Sequence, residues 1–181
     1  MAKELEVKVL GIDKEGLKKK LVEIGAKLIK IELQVNTIFM NIDEDIECVG
    51  KGYLRVRESK NLIDEKSENI FTFKRNISQD GFRENEEIET RIEDKDSLIK
   101  ILDCLNIKVK HVGKKERIRY EFEGIKFDID TWDSETYPDP YLEIEVESIS
   151  DIEKAIVLLD INREDITTKS LKELRAEFKK K

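Results

Sequence analysis

Glu4-Leu5-Glu6-Val7-Lys8 stands near the head of the chain, and its reading decides the fold. Charged and aliphatic residues alternate. An extended strand therefore carries Glu4, Glu6 and Lys8 on one face and Leu5, Val7 and Val9 on the other. The aliphatic face is ordinary, since any strand needs something to bury. The polar face is not, because it is a row of ionised groups rather than hydroxyls and amides.

The same alternation recurs along the chain. It predicts strands over 4–10, 32–41, 53–59, 70–77, 82–92, 110–123, 127–131 and 141–147. Their polar faces sort by sign. Arg55 and Arg57 share one strand, Thr72 and Lys74 the next, Glu87 and Glu89 another. Lys115, Arg117 and Arg119 follow, then Asp128 and Asp130, then Glu143, Glu145 and Glu147. Like charges two residues apart repel unless opposite charges lie beside them. A solvated antiparallel sheet laced with cross-strand ion pairs meets that demand. So does a closed barrel with its charges inside and its aliphatic face outside, under helices. A charged interior suits a highly charged anion with its metal ions. Arg and Lys rows match phosphate oxygens, and carboxylates without His or Cys match hard cations, Mg²⁺ or Mn²⁺.

Four helices are expected to provide the cover. Asp13 caps one bearing Leu17, Leu21 and Ile24 and ending at Gly25. Asp96 caps a second with Leu98, Ile101, Leu102 and Leu105. Ser150 and Glu153 make a capping box for a third, through Ile156 and Leu159. The last begins near Thr168, aligns Leu171, Leu174 and Phe178, and frays into Lys179, Lys180 and Lys181. Glu123-Gly124 reads as a tight hairpin turn, 60–69 as a loose loop and 133–140 as a proline-stiffened one. Glu-x-Glu strands followed by helices, at Glu4 and again at Glu87, hint at an internal duplication.

Composition narrows the chemistry. The 181 residues fit a single domain over 1–181, with 39% hydrophobic and 41% charged residues. With 41 acids against 34 bases the net charge is -7, the wrong sign for a general binder of nucleic acid or anionic membrane. The longest aliphatic run, 155–159, is far too short to span a bilayer, and no basic-then-apolar leader opens the sequence. Cys48 and Cys104 are isolated, as reduced thiols in a cytoplasm would be. His111 is the only histidine, which leaves little material for a His-based triad or zinc site. Without a Gly-rich phosphate loop, phosphate must be held by side chains.

Taken in order, these residues resemble the CYTH superfamily, the triphosphate tunnel metalloenzymes. That family includes class IV adenylate cyclases, thiamine triphosphatases and inorganic triphosphatases. The resemblance rests on Glu4-x-Glu6-x-Lys8, the Arg55 and Arg57 strand, the strand ending at Lys74, and Glu87-Ile-Glu89. It continues through Lys115 and Arg117 with Tyr120, then Asp130, then Glu143-Ile-Glu145, and so spans essentially the whole chain. It implies an α+β fold, a closed eight-stranded antiparallel barrel with a charged interior and helices outside. It further implies metal ligation by Glu4, Glu6, Glu89, Asp130, Glu143 and Glu145. Phosphate contacts fall to Lys8, Arg55, Arg57, Lys74, Lys115 and Arg117, with Glu4, Glu6 and Lys8 nearest the chemistry. Asn36 and Ile38 depart from the Asp and Tyr more often found there.

The expected activity is divalent-metal-dependent hydrolysis of inorganic triphosphate or of a nucleoside or other organic triphosphate. The alternatives are cyclisation of ATP to cyclic AMP and pyrophosphate, and a polyphosphate-binding module without turnover. No stretch marks an adenine-reading pocket, which favours hydrolysis. The expected partner is a small-molecule triphosphate, a homodimer is allowed, and neither nucleic acid nor membrane is called for.

Overall fold

The computed structural model describes residues 2–41 and 52–178, without the side chains of 2–4, 40 and 41. The side chain of Glu4, Cys48 and the fray at 179–181 therefore lie outside the described residues. The strands are β1 (Ala2–Val9), β2 (Lys27–Asn41), β3 (Gly52–Asn61), β4 (Ser67–Ser78), β5 (Arg83–Arg91), β6 (Ile107–Phe122), β7 (Ile125–Trp132), β8 (Tyr141–Val146) and β9 (Ile166–Thr167). The helices are α1 (Lys14–Glu23), α2 (Lys95–Cys104), α3 (Ile149–Leu159) and α4 (Leu171–Phe178).

The sheet runs β5-β4-β3-β2-β6-β7-β8-β1, and β1 pairs back onto β5, so eight antiparallel strands close into a barrel. Strand β9, which the alternation did not predict, adds to β1 beside Lys8 and Val9. Two residues are too few to show a period.

The outward faces are aliphatic, and α1, α2 and α3 lie on them, whereas α4 packs on Tyr141, which shares the inward face with Asp130. Val7, Ile118, Phe127, Ile129, Leu142 and Ile144 pack with Leu17 and Leu21 of α1 and Ile152, Ala155 and Ile156 of α3. Leu102 of α2 covers Phe39 and Val56. Leu174 of α4 packs on Tyr137 and Tyr141. No helix among the described residues is long and apolar enough to cross a membrane.

Several boundaries differ from expectation, each for a local reason. Helix α2 starts earlier, because Asp94, not Asp96, accepts hydrogen bonds from Ser97 N and Oγ. Helix α3 is preceded by Ser148, which donates to Asp151; the pair sits two residues upstream of Ser150 and Glu153. The capping box belongs to α4: Ser170 Oγ accepts from Glu173 N, and Glu173 accepts from Ser170 N, so the helix starts after Thr168. The loop expected over 60–69 is shorter, 62–66, because Asn61 and Asp64 side chains accept from Ile63 N and Lys66 N and tighten the turn. At Glu123-Gly124 both residues have positive φ, 48° and 81°, the geometry of a two-residue hairpin.

The Phe127 ring is fully buried between the barrel wall and the helices. Phe127→Ala should destabilise the protein by about 3–5 kcal/mol in urea unfolding with an unchanged m-value. A loss below about 1 kcal/mol would place the core elsewhere.

Candidate active site

Because paired residues in a ladder share a face, one row fixes the interior. Glu6 lies opposite Glu145, and Lys8 opposite Glu143. Glu143 lies opposite Asp128, Asp128 opposite Arg119, and Asp130 opposite Arg117. Glu32 faces Arg117, Gln34 faces Lys115 and Ser59, and Asn36 faces Arg57. Arg55 faces Thr72, which faces Glu89, and Lys74 faces Glu87. Glu6 also meets Arg83 across the β1–β5 seam, where Glu4 pairs with Asn85 through the backbone. Apart from Glu147, the charged rows of the sequence thus turn inward.

They fill the space they enclose. Glu6, Lys8, Lys115, Arg117, Asp128 and Asp130 are each buried. Arg117 is the hub. Its Nε and Nη2 donate to the two oxygens of Asp130 at 2.7 Å each, Nη1 stands 2.6 Å from Asp128, and Nη2 reaches Glu143 at 3.0 Å. Lys115 Nζ donates to Asp130 at 2.7 Å and lies 4.9 Å from the Trp132 ring centre. Arg119 grips Asp128 through two bonds of 2.6 and 2.5 Å.

Across the barrel, Lys8 Nζ sits 3.3 Å from Glu6 and 3.2 Å from Glu143. Lys74 bonds Glu87 and approaches Glu6 at 3.7 Å; Arg83 approaches Glu6 at 3.5 Å. Arg55 stands 3.8 Å from Glu87, and both Arg55 and Arg57 stand 3.6 Å from Glu89.

Charge sets the proton affinities. Burial alone would raise the Glu143 carboxyl, but Lys8, Arg117, Lys115 and Lys74 together hold it well below the usual carboxylate range. Glu6 is likewise lowered, burial being outweighed by Lys8 with help from Lys74 and Arg83. Asp130 is lowered by Arg117 and Lys115 against its own burial. Arg57 is pulled down by burial and by the like charges of Arg55 and Arg117, so this corner carries unspent positive charge.

Of the residues singled out in the sequence, Glu6, Lys8, Lys74, Lys115, Arg117, Asp130 and Glu143 meet in one connected network. Glu145 joins it at the edge, through Arg119 and Lys126. Glu89 lies apart, on the arginine side. Glu147 follows the end of β8 and is exposed. Sequence reasoning passed over Glu32, Gln34, Asn85 and the depth of Glu87. For Glu32, Gln34 and Asn85 the signal was the same alternation, read at positions where no like-charged neighbour drew attention; Glu87 was quoted with Glu89 but left out of the site.

As to a cation, no three described carboxylate, imidazole or thiol side chains form a ready cage. The donors nonetheless fit one in kind. Glu6 and Glu145 face each other across two strands, both Glu6 and Glu143 are held ionised, and the Lys8 ammonium already bridges Glu6 and Glu143 as a positive charge. A cavity of about 640 Å³ is lined both by inward residues, Gln34, Ser59, Lys115 and Trp132, and by their outward neighbours Leu33, Val35, Lys114 and Glu116.

An antiparallel barrel whose inner wall carries arginines, lysines and carboxylates defines the class of fold. Comparison with known proteins agrees: residues 2–175 match the CYTH domain, and the chain belongs to that family. A Methanocaldococcus jannaschii protein provisionally named an adenylate cyclase is 34% identical over 182 residues, 95% of this chain and 98% of that one. The PH1012 protein of Pyrococcus horikoshii superposes with a TM-score of 0.77 at 26% identity, over 94% of this chain and 98% of its own. An adenylyl cyclase candidate from Hippeastrum with a dominant triphosphatase activity shares the fold, with a TM-score of 0.66 at 15% identity over 98% and 96% of the chains.

Lys115 offers a test of the buried network. Burial first, then the Arg117 charge, brings its ammonium down to about 8 despite the opposing pull of Asp130. A lysine that binds its proton less tightly when folded favours the folded state increasingly as pH rises. The unfolding free energy should therefore climb between about pH 8 and 10.5, and Lys115→Met should remove that climb. Parallel pH profiles for the two proteins across this window would refute the assignment.

Proposed function

We propose that this protein is a divalent-metal-dependent triphosphatase that holds the phosphate chain inside the barrel. One observation carries the reading: Lys8, Arg55, Arg57, Lys74, Lys115 and Arg117 converge on one enclosed space, next to carboxylates held ionised at neutral pH. A substrate oxygen can take the place of each carboxylate on these cations, so no buried base loses its counter-charge on binding. Glu6, Glu143 and Glu145, with Glu4, are the proposed holders of the cation. Asp130 and Glu89 are secondary members of that set.

When bound, a divalent ion neutralises phosphate charge and lowers the pKa of nearby water. The chain's own residues do the positioning. Arg55 and Arg57 on β3, and Lys115 and Arg117 on β6, flank β2 and fix the non-bridging oxygens. In hydrolysis a water oxygen bonds to the terminal phosphorus as the bridging P–O bond to it breaks; the water's proton passes to solvent, and the diphosphate released, pyrophosphate from tripolyphosphate or ADP from ATP, stays paired with the basic rows. CYTH enzymes include both triphosphatases and adenylate cyclases, and the relatives above carry both names.

Orthophosphate release from tripolyphosphate or ATP should vanish with chelator and return with Mg²⁺ or Mn²⁺. With ATP labelled in the adenine, cyclic AMP plus pyrophosphate as dominant products would replace hydrolysis by cyclisation.

Acidic and basic variants should separate. Glu6→Gln should lower kcat strongly while sparing much of the triphosphate affinity. Arg55→Ala should act mainly on binding, by roughly 2–5 kcal/mol for a buried, hydrogen-bonded charge. Wild-type kinetics in both would return the charged interior to a purely structural role.

A further inference from the structure

We propose that Trp132 is a positioning residue for the phosphate chain: its indole keeps the Lys115 ammonium in place while Asp130 gives way to a phosphate oxygen. The inference rests on the triphosphate reading of the site and adds how one of its cations stays aimed.

Lys115 and Arg117 share a face of β6 but are not held alike. Arg117 reaches three carboxylates, Asp128, Asp130 and Glu143, and so keeps partners when one of them is displaced. The Lys115 ammonium has one hydrogen-bond partner among the described residues, Asp130 at 2.7 Å. Once a phosphate oxygen replaces that carboxylate, the ammonium is a point charge on a flexible stem with nothing of the protein's own to fix it. The Trp132 ring supplies the missing contact, its centre 4.9 Å from Lys115 Nζ. A ring face attracts a cation through its quadrupole, and an arriving anion does not displace it as it displaces a carboxylate. Lys115 is buried, and desolvation is the condition under which this attraction is strongest.

The indole is itself held in place. Trp132 stands opposite Lys115 in the β6–β7 ladder. Its Nε1–H donates to Tyr141 Oη at 2.9 Å. Tyr141 is buried, meets the Tyr137 ring edge to face at 5.9 Å between centres, and packs with Leu174 of α4. Gly113 lies two residues before Lys115 on the same face of β6. A Cβ there would come within 3.0 Å of Trp132 Cζ3 and 2.7 Å of Thr136 Oγ1, so a side chain would crowd the indole. None of these supports is a group that phosphate replaces.

The test is tripolyphosphate binding by calorimetry in chelator-treated buffer, arranged as a double-mutant cycle. Trp132→Leu should weaken binding about tenfold, and Trp132→Phe, which keeps a ring face, only about threefold. In a Lys115→Met background Trp132→Leu should cost less than about twofold, because the cation it positions is gone. Equal losses in the two backgrounds would make Trp132 a general packing residue and overturn the inference. Undiminished binding in Trp132→Leu would do the same. A second measurement needs no tryptophan variant: the Lys115 side-chain methylene resonances, identified by their absence from Lys115→Met. The indole ring current should move them upfield, and they should stay there when the protein is saturated with tripolyphosphate. Their return to ordinary lysine positions on saturation would show the cation leaving the ring, and the inference fails. If the native protein binds no tripolyphosphate, the triphosphate reading itself falls and takes the inference with it. If it binds but the cycle shows no coupling, the inference alone falls.

Discussion

Arg117 is the group on which the rest depends. It is 7% exposed and touches Asp128, Asp130 and Glu143, carboxylates carried by two different strands. Withdrawing one such ion from water costs several kcal/mol, and that cost is recovered only where opposite charges surround it with good geometry. A flat sheet supplies such neighbours on two sides. Closure supplies the rest, because pairing β1 with β5 brings Lys74 and Arg83 to Glu6. The sorting of charge by strand and the closing of the barrel are therefore one fact. A basic β6 needs an acidic β7, and the acidic β8 needs the lysine of β1.

The same network prepares the interior for exchange. Each basic group is already desolvated and already paired, so an incoming phosphate oxygen meets a cation that has no water shell left to lose. A displaced carboxylate is the liability, since it cannot stay buried and unpaired. On the proposed reading, a divalent ion entering with the substrate answers it, taking the oxygens that the lysines and arginines release. Around Arg57 the like charges of Arg55 and Arg117 are met by Glu89 at 3.6 Å, while Asn36 across the ladder brings no acid.

Much of this was legible in the sequence. Alternation alone located the eight strands of the barrel, and like charge at i and i+2 picked out Arg55, Arg57, Arg117, Asp130 and Glu143. Closure was not legible from alternation, because a solvated sheet and a charged interior write the same pattern; the ordered resemblance decided it. Gln34 was missed because it read as an ordinary polar position, and Asn36 was noted only as a departure from the family pattern; Gln34 Oε1 and Asn36 Nδ2 are buried without partners. Helix starts slipped by one to three residues where Asp and Ser crowd together. Asp94 and Asp96, or Ser148 and Ser150, are equal candidates until the backbone places one of them.

Contact length separates carboxylates that hold the barrel from those free to serve a cation. Asp128 and Asp130 are gripped at 2.5 to 2.7 Å by two-pronged guanidinium bonds, and both oxygens of each are engaged. Either would have to break strong charge-assisted bonds before it turned to anything else. Glu6 is different. Its cations stand at 3.3, 3.5 and 3.7 Å, close enough to keep it ionised and too far for strong directional bonds. Glu143 is intermediate, at 3.0 and 3.2 Å. By this measure Asp130 is the weakest member of the proposed cation set, holding Lys115 and Arg117 in place for phosphate. Glu6 is the strongest, and it belongs to the strand whose alternating charges first required an interior.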